Sequence, residues 1–160
     1  MSKKTVIYPG TFDPITLGHM DLIKRASKIF DKVIVAVAYQ VSKPVLFSFE
    51  ERINLVKKVL RGFKNVEVEG FKGLLAEFAK KKKVRVILRG LRMVSDFEYE
   101  FQLALTNRKL YPELETVFLL PQEKYWYISS TLIKEVTKLG AELECFLPKE
   151  VIKALKEKLR

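Results

Sequence analysis

Runs of apolar and β-branched residues alternate along the chain with segments in which apolar residues recur every three or four positions. Short apolar runs are typical of buried strands, and the three-to-four-residue repeat is typical of helices. The sequence predicts strands at Thr5–Tyr8, Val33–Ala38, Val66–Glu69, Val84–Leu88 and Thr116–Leu120.

Helical repeats fill the intervals between these strands and continue to the end of the chain. In the first of them, His19–Phe30, the apolar residues Met20, Ile23 and Ala26 share one face. The other predicted helices are Glu50–Leu60, a segment around Leu74–Ala79, Asp96–Leu110, Leu132–Leu139 and a last helix that begins at Pro148, in its first turn.

Strand–helix alternation repeated five times indicates an α/β domain built on a parallel sheet. The 160 residues suit one such domain, so we predict a single doubly wound, five-stranded sheet spanning residues 1–160. In such sheets ligands bind beyond the carboxyl ends of the strands. The residues that follow each predicted strand are therefore the candidates for chemistry.

The composition excludes several classes of protein. The single cysteine, Cys145, rules out a disulfide framework within the chain and favours a reducing compartment. The first 30 residues carry charges throughout, unlike a signal peptide, and no stretch approaches the roughly 18 apolar residues of a membrane span. We expect a soluble, cytoplasmic protein with no membrane partner.

The charge is strongly basic, with 30 Lys and Arg residues against 19 Asp and Glu residues and a net charge of +11. Such a balance suits a nucleic acid or a polyanionic small molecule, and it also occurs on surfaces rich in Lys and Glu. The basic residues are spread along the chain, and only Lys80–Lys83 forms a run. We therefore expect no nucleic-acid partner.

The segment Pro9–His19, which follows the first strand, has the features of an anion site. Its glycines and prolines predict a tight connection into a helix, Thr16 could cap that helix, and Gly18 would allow close approach of a ligand. A helix N-terminus offers free N–H groups and a positive dipole. His19, the only histidine, lies in the first turn. The alternative is an incidental histidine at a loop-to-helix junction.

Two further segments carry groups that bind phosphate. The fourth strand is followed by Arg89-Gly-Leu-Arg92, and guanidinium groups bind phosphate in a bidentate manner. The fifth strand leads to Ser129, Ser130 and Thr131, which open a helix and could donate to a phosphate chain. Solvated arginines and an ordinary helix cap are the alternatives.

Other routes to phosphate or metal binding are absent from the sequence. It contains no Gly-x-x-x-x-Gly-Lys-Ser/Thr loop and no Gly-x-Gly-x-x-Gly fingerprint. One histidine and one cysteine cannot form a zinc cluster, so no protein-held metal is expected.

These motifs together carry a resemblance. Thr16-x-Gly-His19 with Ile128-Ser-Ser-Thr-x-Ile-Lys134 resembles the motif pair of nucleotidyltransferases related to class I aminoacyl-tRNA synthetases. The longer blocks resemble the bacterial phosphopantetheine adenylyltransferases over nearly the whole chain: Tyr8–His19, Arg89–Arg92, Asp96–Glu100 and Phe146–Pro148. The resemblance implies a Rossmann-like nucleotidyltransferase fold. It also implies transfer of AMP from ATP to 4′-phosphopantetheine, giving dephospho-coenzyme A and pyrophosphate.

The resemblance also implies roles for individual residues. His19 would bind ATP and stabilise the transition state, and Lys43 would hold the acceptor phosphate, so these are the expected catalytic residues. The implied substrate-binding residues are Thr11, Lys43, Leu75 and Arg89. The implied ATP-binding residues are Thr11, Phe12, His19, Gly90, Leu91, Arg92, Glu100, Tyr125, Trp126, Tyr127, Ile128, Ser129, Ser130 and Thr131. The loop before Lys43, Ala38–Ser42, departs from the family pattern because it lacks an Asn-Pro type of turn.

The expected chemistry needs no general base, because a phosphate nucleophile is already anionic near pH 7. We expect His19 and Lys43 to stabilise the transition state, and Arg92 and the Ser129–Thr131 helix start to hold the leaving phosphates. Mg²⁺ is expected to arrive with ATP, and Asp13 could contact it or could only form a turn with Pro14. The family further implies a homohexamer and feedback inhibition by coenzyme A.

Three rival interpretations stay open. A sibling enzyme could use nicotinamide mononucleotide, or CTP with glycerol phosphate, because the Thr-x-Gly-His element alone does not define the acceptor. A basic RNA- or DNA-binding module would agree with the net charge. An inactive regulatory homologue would also keep the fold.

Overall fold

Five strands alternate with helices in the computed structural model, which describes residues 3–160, and two helices in succession follow the last strand. The strands are β1 (Thr5–Gly10), β2 (Lys32–Ala38), β3 (Val66–Phe71), β4 (Val86–Gly90) and β5 (Glu115–Leu119). The helices are α1 (Leu17–Ile29), α2 (Phe49–Leu60), α3 (Leu75–Lys82), α4 (Val94–Leu110), α5 (Ser130–Lys138) and α6 (Lys149–Lys158). A 3₁₀ turn, Glu123–Tyr125, precedes α5.

Within this part of the chain the prediction of one parallel, five-stranded sheet is confirmed. The strand order is β3-β2-β1-β4-β5, and every pairing is parallel. The order reverses between β1 and β4, which pair at the single position Ile7–Ile87. A ligand site is expected at the carboxyl edge where the order reverses.

Several predicted ends differ from the observed ones, because pairing with a neighbouring strand decides where a strand stops. β1 extends to Gly10, which pairs with Val37, and β4 extends to Gly90, which pairs with Leu119. Val84 lies outside β4, since its N–H bonds to the Ala79 carbonyl at the end of α3. Pro148 is the N-cap of α6 rather than a residue of its first turn.

Alternating side chains of the central strands feed two hydrophobic clusters, one on each face of the sheet. Val6 and Tyr8 point into a cluster shared with α1, α2, α5 and α6. Ile7 and Ile34 point into the other cluster, to which α3 contributes. Helices therefore cover both faces, as a doubly wound sheet requires. No helix among residues 3–160 has both the length and the apolar character to cross a bilayer.

One charged side chain is buried where β1 and β2 end. Arg52 of α2 is 1% exposed, and its Nη1 donates to the carbonyl oxygens of Thr11 at 2.7 Å and Ala38 at 2.8 Å. Burial lowers the pKa of this guanidinium from its usual value. The side chain satisfies two carbonyl groups that would otherwise be orphaned under the carboxyl edge, so it ties the ends of two strands together.

Replacing Arg52 by Met should therefore destabilise the fold. Two carbonyl groups lose their donor, and we expect the free energy of unfolding to drop by about 1–3 kcal/mol. Urea denaturation followed by circular dichroism measures this, with Arg61→Met, an exposed arginine at the end of the same helix, as the control. Equal midpoints for the two variants would contradict the role given to Arg52.

Candidate active site

A cavity of about 690 Å³ opens at the carboxyl edge of the sheet. Tyr8, Pro9 and Gly10 of β1 and Arg89 and Gly90 of β4 line it. The rest of its wall comes from the connection between β1 and α1, the first part of α1, the loops after β2, β3 and β5, one side of α4 and the start of α5. The cavity thus lies where the strand order reverses, and its size is within the usual range for small-molecule sites.

Most of the site residues expected from the sequence share this cavity. They are Thr11, Phe12, His19, Lys43, Leu75, Arg89, Gly90, Arg92, Glu100, Tyr125, Ile128, Ser129, Ser130 and Thr131. All of the residues expected for the acceptor, and most of those expected for ATP, therefore line one continuous space.

Leu91, Trp126 and Tyr127 do not line the cavity. The Leu91 N–H bonds to the Leu119 carbonyl and continues the β4–β5 ladder. The Trp126 indole donates from Nε1 to the Pro121 carbonyl at 2.8 Å, and the Tyr127 ring contacts Phe146 edge to face. In this structure these three residues shape the segments around the cavity, whereas their neighbours form its wall.

The Thr16-x-Gly-His19 motif is a reciprocal helix cap. The Thr16 Oγ1 accepts from the His19 N–H at 3.3 Å, and the His19 Nδ1 accepts from the Thr16 N–H at 3.0 Å. The three-residue spacing is what a capping box requires, with His in the place usually taken by Glu or Gln. Since Nδ1 accepts a hydrogen bond, the neutral imidazole carries its proton on Nε2.

The surroundings of His19 favour the neutral ring. Burial, and then the positive charges of Arg92 and Arg89, lower the pKa of His19 from 6.5 to about 4. The Phe12 ring lies 5.0 Å from the imidazole, and Tyr8 lies behind it. His19 is therefore a neutral Nε2–H donor at pH 7. The sequence alone left open whether it acts as a cation or as a neutral donor.

Arg89 and Glu100 are bound to each other. The Arg89 Nε and Nη2 donate to the two Glu100 carboxylate oxygens at 2.8 and 2.6 Å, and Nη1 donates to the Pro9 carbonyl at 3.2 Å. Glu100 is buried. Burial would lower the pKa of Arg89, but the Glu100 carboxylate raises it above its usual value. Burial also raises the pKa of the adjacent Tyr8 hydroxyl.

Arg92 connects the end of β4 to the segment before α5. Its Nη1 donates to the Ile128 carbonyl at 2.6 Å, and its Nε lies 3.7 Å from the Asp96 carboxylate. Part of the guanidinium is therefore committed to holding the backbone beside Ser129, and its remaining N–H groups stay available at the cavity wall.

The hydroxyl residues at the start of α5 divide their hydrogen bonds between cap and loop. Ser129 is the N-cap, and its Oγ accepts from the Leu132 N–H at 3.1 Å. The Ser130 Oγ donates to the Pro14 carbonyl at 2.8 Å. Because these two hydroxyl groups are engaged by the protein itself, an anion at this helix start would interact chiefly with the first-turn N–H groups and the helix dipole.

Asp13 does not fit the role of a Mg²⁺ ligand. It is 3% exposed, and its carboxylate accepts from the N–H groups of Leu46 and Phe47 and from the Lys134 Nζ. These contacts occupy both oxygens. Across residues 3–160, no group of three or more His, Cys, Asp or Glu side chains is placed to hold a metal ion.

Several cavity residues were missed by sequence analysis. Tyr8 ends the predicted first strand, so the strand-end rule could have found it. Gln40 and Asn107 also line the cavity, and Gln40 Oε1 accepts from the Gly73 N–H at 2.8 Å, which joins the loops after β2 and β3. No sequence signal indicates this contact, because it depends on how two loops meet.

Comparison with known proteins identifies the family. The model of the cytidylyltransferase-like family matches residues 7–136. The phosphopantetheine adenylyltransferase of Nitrosomonas eutropha is 56% identical over 153 residues, which cover 96% of this chain and 93% of the relative. That of Hahella chejuensis is 59% identical over 153 residues, with 96% and 95% covered. The chain belongs to the phosphopantetheine adenylyltransferase family. It is accordingly a nucleotidyltransferase.

Solved structures show the same fold at much lower identity. A Vibrio parahaemolyticus protein, provisionally described as a nicotinate-nucleotide adenylyltransferase, has a TM-score of 0.74 and 19% identity, with 99% of this chain and 95% of that chain covered. The Plasmodium falciparum nicotinic acid mononucleotide adenylyltransferase, complexed with NaAD, has a TM-score of 0.75 and 14% identity, with 98% and 96% covered. These likenesses support the fold.

The state of His19 can be measured directly, because it is the only histidine in the chain. ¹H–¹⁵N NMR should show the Nε2–H tautomer at pH 7 and a titration midpoint near pH 4. Since the folded pKa lies below the unfolded one, protonation favours the unfolded state, and this site removes stability as pH falls from about 6.5 towards 4.

The urea-unfolded protein is the control, and its midpoint should return to about 6.5. A folded-state midpoint of 6 or above, or a proton on Nδ1 at pH 7, would show that the cap geometry does not fix the ring.

Proposed function

We propose that the cavity binds ATP and 4′-phosphopantetheine together and transfers AMP to the acceptor, which yields dephospho-coenzyme A and pyrophosphate for coenzyme A biosynthesis. The observation that carries this proposal is that one cavity is lined by both sets of residues. Lys43, Leu75 and Arg89 represent the acceptor set, and His19 and Arg92 represent the ATP set. The relatives' identity to this chain, 56–59%, supports phosphopantetheine as the acceptor.

The reaction is the attack of an acceptor phosphate oxygen on the α-phosphorus of ATP. The new P–O bond forms as the bond to the β-phosphate bridging oxygen breaks, and pyrophosphate leaves with that electron pair. A phosphomonoester is largely dianionic at pH 7, since its second pKa is about 6. The nucleophile therefore needs no base, and the work of the enzyme is to hold two polyanions together and to stabilise the charge that develops.

His19 supplies a donor that is fixed before substrate binds. The Thr16 N–H orients the ring, and the neutral Nε2–H is available to an oxygen of the pentavalent phosphorus. One preorganised donor of this kind contributes about 2.7–4 kcal/mol to transition-state stability. The hydrogen bond from this donor strengthens as negative charge increases on that oxygen, so it stabilises the transition state more than the ground state.

We propose that different cationic groups bind the two substrates. Lys43 is exposed and has no ion-pair partner within the described chain, so its ammonium group is free to bind the acceptor phosphate. The remaining N–H groups of Arg92 and the N-terminal turn of α5 suit the leaving phosphates. Because both carboxylate oxygens of Glu100 bind the Arg89 guanidinium, we propose that Glu100 positions Arg89.

The remaining features of the proposal come from the family resemblance. Mg²⁺ would enter as part of the ATP substrate, consistent with a cavity whose buried carboxylates, Asp13 and Glu100, are already paired. The enzyme would work in the cytoplasm, and coenzyme A would act as the feedback ligand because it shares the pantetheine and adenylyl parts of the two substrates.

The acceptor is tested by pyrophosphate release. Purified protein with ATP and Mg²⁺ should release pyrophosphate with 4′-phosphopantetheine and not with nicotinamide mononucleotide, glycerol phosphate or no acceptor; a parallel reaction pairs CTP with glycerol phosphate. Release with another acceptor alone would keep the fold and overturn the proposed substrate. If no reaction released pyrophosphate, a binding module or an inactive homologue would be favoured.

His19 has two roles that substitution can separate. His19→Gln keeps a side-chain acceptor for the Thr16 N–H, as in an ordinary capping box, but loses the imidazole. His19→Ala loses both. We expect both variants to lower kcat by about 10²–10³-fold with smaller changes in the KM for ATP. Only His19→Ala should also lose about 0.5–2 kcal/mol of stability from the cap.

Steady-state kinetics and thermal melts of the two variants measure these effects. Near-normal turnover by His19→Gln would remove His19 from the chemistry and leave it a capping residue.

We also propose that the enzyme is a homohexamer. The family resemblance supplies the number of subunits, and the outer surface of α4 supports self-association. Val94, Phe97, Phe101 and Leu105 recur every three or four residues and are 48–92% exposed. The Phe97 and Phe101 rings stack on each other in solvent. The polar residues Glu100 and Asn107 of the same helix are buried towards the cavity. An apolar stripe of this kind on the outer surface is typical of a subunit interface.

Phe101→Glu should therefore lower the oligomeric state. A charge in the centre of the stripe would have to be buried without a partner, so we expect smaller species in light scattering coupled to size-exclusion chromatography. Leu139→Glu, at an 86% exposed apolar position beyond α5, is the matched control and should leave the mass unchanged. A wild-type molar mass that does not correspond to six subunits would overturn the proposed hexamer.

A further inference from the structure

The Asp13 carboxylate joins three separate segments of the cavity wall. Its Oδ2 accepts from the Leu46 N–H at 2.9 Å and from the Lys134 Nζ at 2.7 Å, and its Oδ1 accepts from the Phe47 N–H at 2.9 Å. Asp13 itself lies in the connection between β1 and α1. One buried carboxylate therefore links this connection to the loop that follows β2 and to the helix α5.

The loop after β2 has few other anchors near Lys43. Residues 42–45 are exposed, and the Gln40–Gly73 contact at the start of the loop is exposed too. The two N–H groups that bind Asp13 belong to residues three and four positions after Lys43. The other fixed points of the loop are the Tyr39 N–H, which bonds to the Phe71 carbonyl at 2.9 Å, and the buried Phe47 side chain. The two bonds to Asp13 are therefore the backbone anchors on the side of the loop that follows Lys43.

Two cationic side chains lie near Asp13. Lys134 pairs with its carboxylate directly, and the buried Arg52 donates to the carbonyl of Thr11, two residues before Asp13. Hydrogen bonds from N–H groups to a carboxylate are about twice as strong as those to a neutral acceptor. Lys134 thus fixes α5 to the same carboxylate that binds the loop. The Ser130–Pro14 hydrogen bond reinforces the second link.

From this geometry we propose that Asp13 is a positioning residue that acts through Lys43. It sets where the Lys43 loop lies relative to the helix start of α5, and so it aligns the acceptor phosphate with the ATP phosphates. The proposal rests on the role of Lys43 in the proposed function. Asp13 does not touch substrate in this account.

A double-mutant cycle between Asp13 and Lys43 tests it. In Asp13→Asn an amide replaces the charge and presents N–H groups where the loop and Lys134 need acceptors. We expect kcat/KM for phosphopantetheine, at saturating ATP, to fall by about 10–100-fold, the scale of a misplacement near 1 Å. In a Lys43→Ala background the same change should cost less than about twofold, because the group that Asp13 positions is gone.

Equal losses in both backgrounds would overturn the proposal, since Asp13 would then act independently of Lys43. Full activity of Lys43→Ala would overturn both this proposal and the acceptor role of Lys43. Asp31→Asn is the matched control, because Asp31 also accepts a backbone N–H, from Lys4, but is exposed outside the cavity. If Asp13→Asn does not fold, Asp13→Glu, which keeps the charge and lengthens the arm, enters the same cycle.

Hydrogen exchange gives a second readout that does not depend on activity. The Leu46 and Phe47 amides should exchange about tenfold or more faster in Asp13→Asn, whereas amides of the central strand β2 should be unchanged. Unchanged protection at Leu46 and Phe47 would overturn the proposal even if no substrate were turned over. A wild type without adenylyltransferase activity but with this exchange pattern would instead overturn the proposed function and leave the anchoring by Asp13 in place.

Discussion

The backbone of the connection between β1 and α1 is the constraint on which the cavity depends. Phe12 has a φ of +50°, in the left-handed region, where an L-residue with a side chain is disfavoured by roughly 1–2 kcal/mol. Packing offsets this cost: Phe12 is 2% exposed, and its ring contacts both Tyr8 and His19. Gly10 leaves room for that ring, since a Cβ there would lie 2.9 Å from it. The turn that results directs Asp13 beneath the Lys43 loop and delivers Thr16 to the start of α1.

The four cationic side chains of the cavity differ in whether they are bound to other protein groups in the absence of a ligand. Arg89 is bound in a bidentate manner to Glu100, Lys134 is bound to Asp13, and Arg92 donates to the Ile128 carbonyl. These bonds make the positive side chains part of a fixed frame, and fixed donors need no reorganisation when charge develops. Lys43 alone among the four lacks an ion or carbonyl partner within the described residues, so its position depends on its loop. The site thus combines three cations fixed by protein partners with one exposed lysine whose position is set by its loop.

The sequence could predict the sheet from short-range rules, and it could predict much of the site from the position of residues after strands together with the family resemblance. Parallel strands bring their carboxyl ends to one edge, which is why Thr11, Arg89 and the hydroxyls near Ser129 meet although the sequence separates them widely. The family resemblance places Trp126 and Tyr127 in the ATP site with Ile128, but it does not give side-chain direction within a turn, and these two residues do not line the cavity. Short-range rules also do not give long-range partners. Asp13 binds residues 33, 34 and 121 positions away, and no local pattern distinguishes it from an ordinary Asp-Pro turn.

The Thr-x-Gly-His motif is best understood as a helix cap that also carries the histidine proposed to stabilise the transition state. A capping box needs its two members three residues apart, and the histidine that completes it must present Nδ1 to the backbone, which leaves the Nε2–H facing the cavity. The spacing therefore follows from helix geometry and carries no information about the acceptor. What discriminates one acceptor from another has to come from the other walls of the cavity, where Leu75 and the inner side of α4 lie.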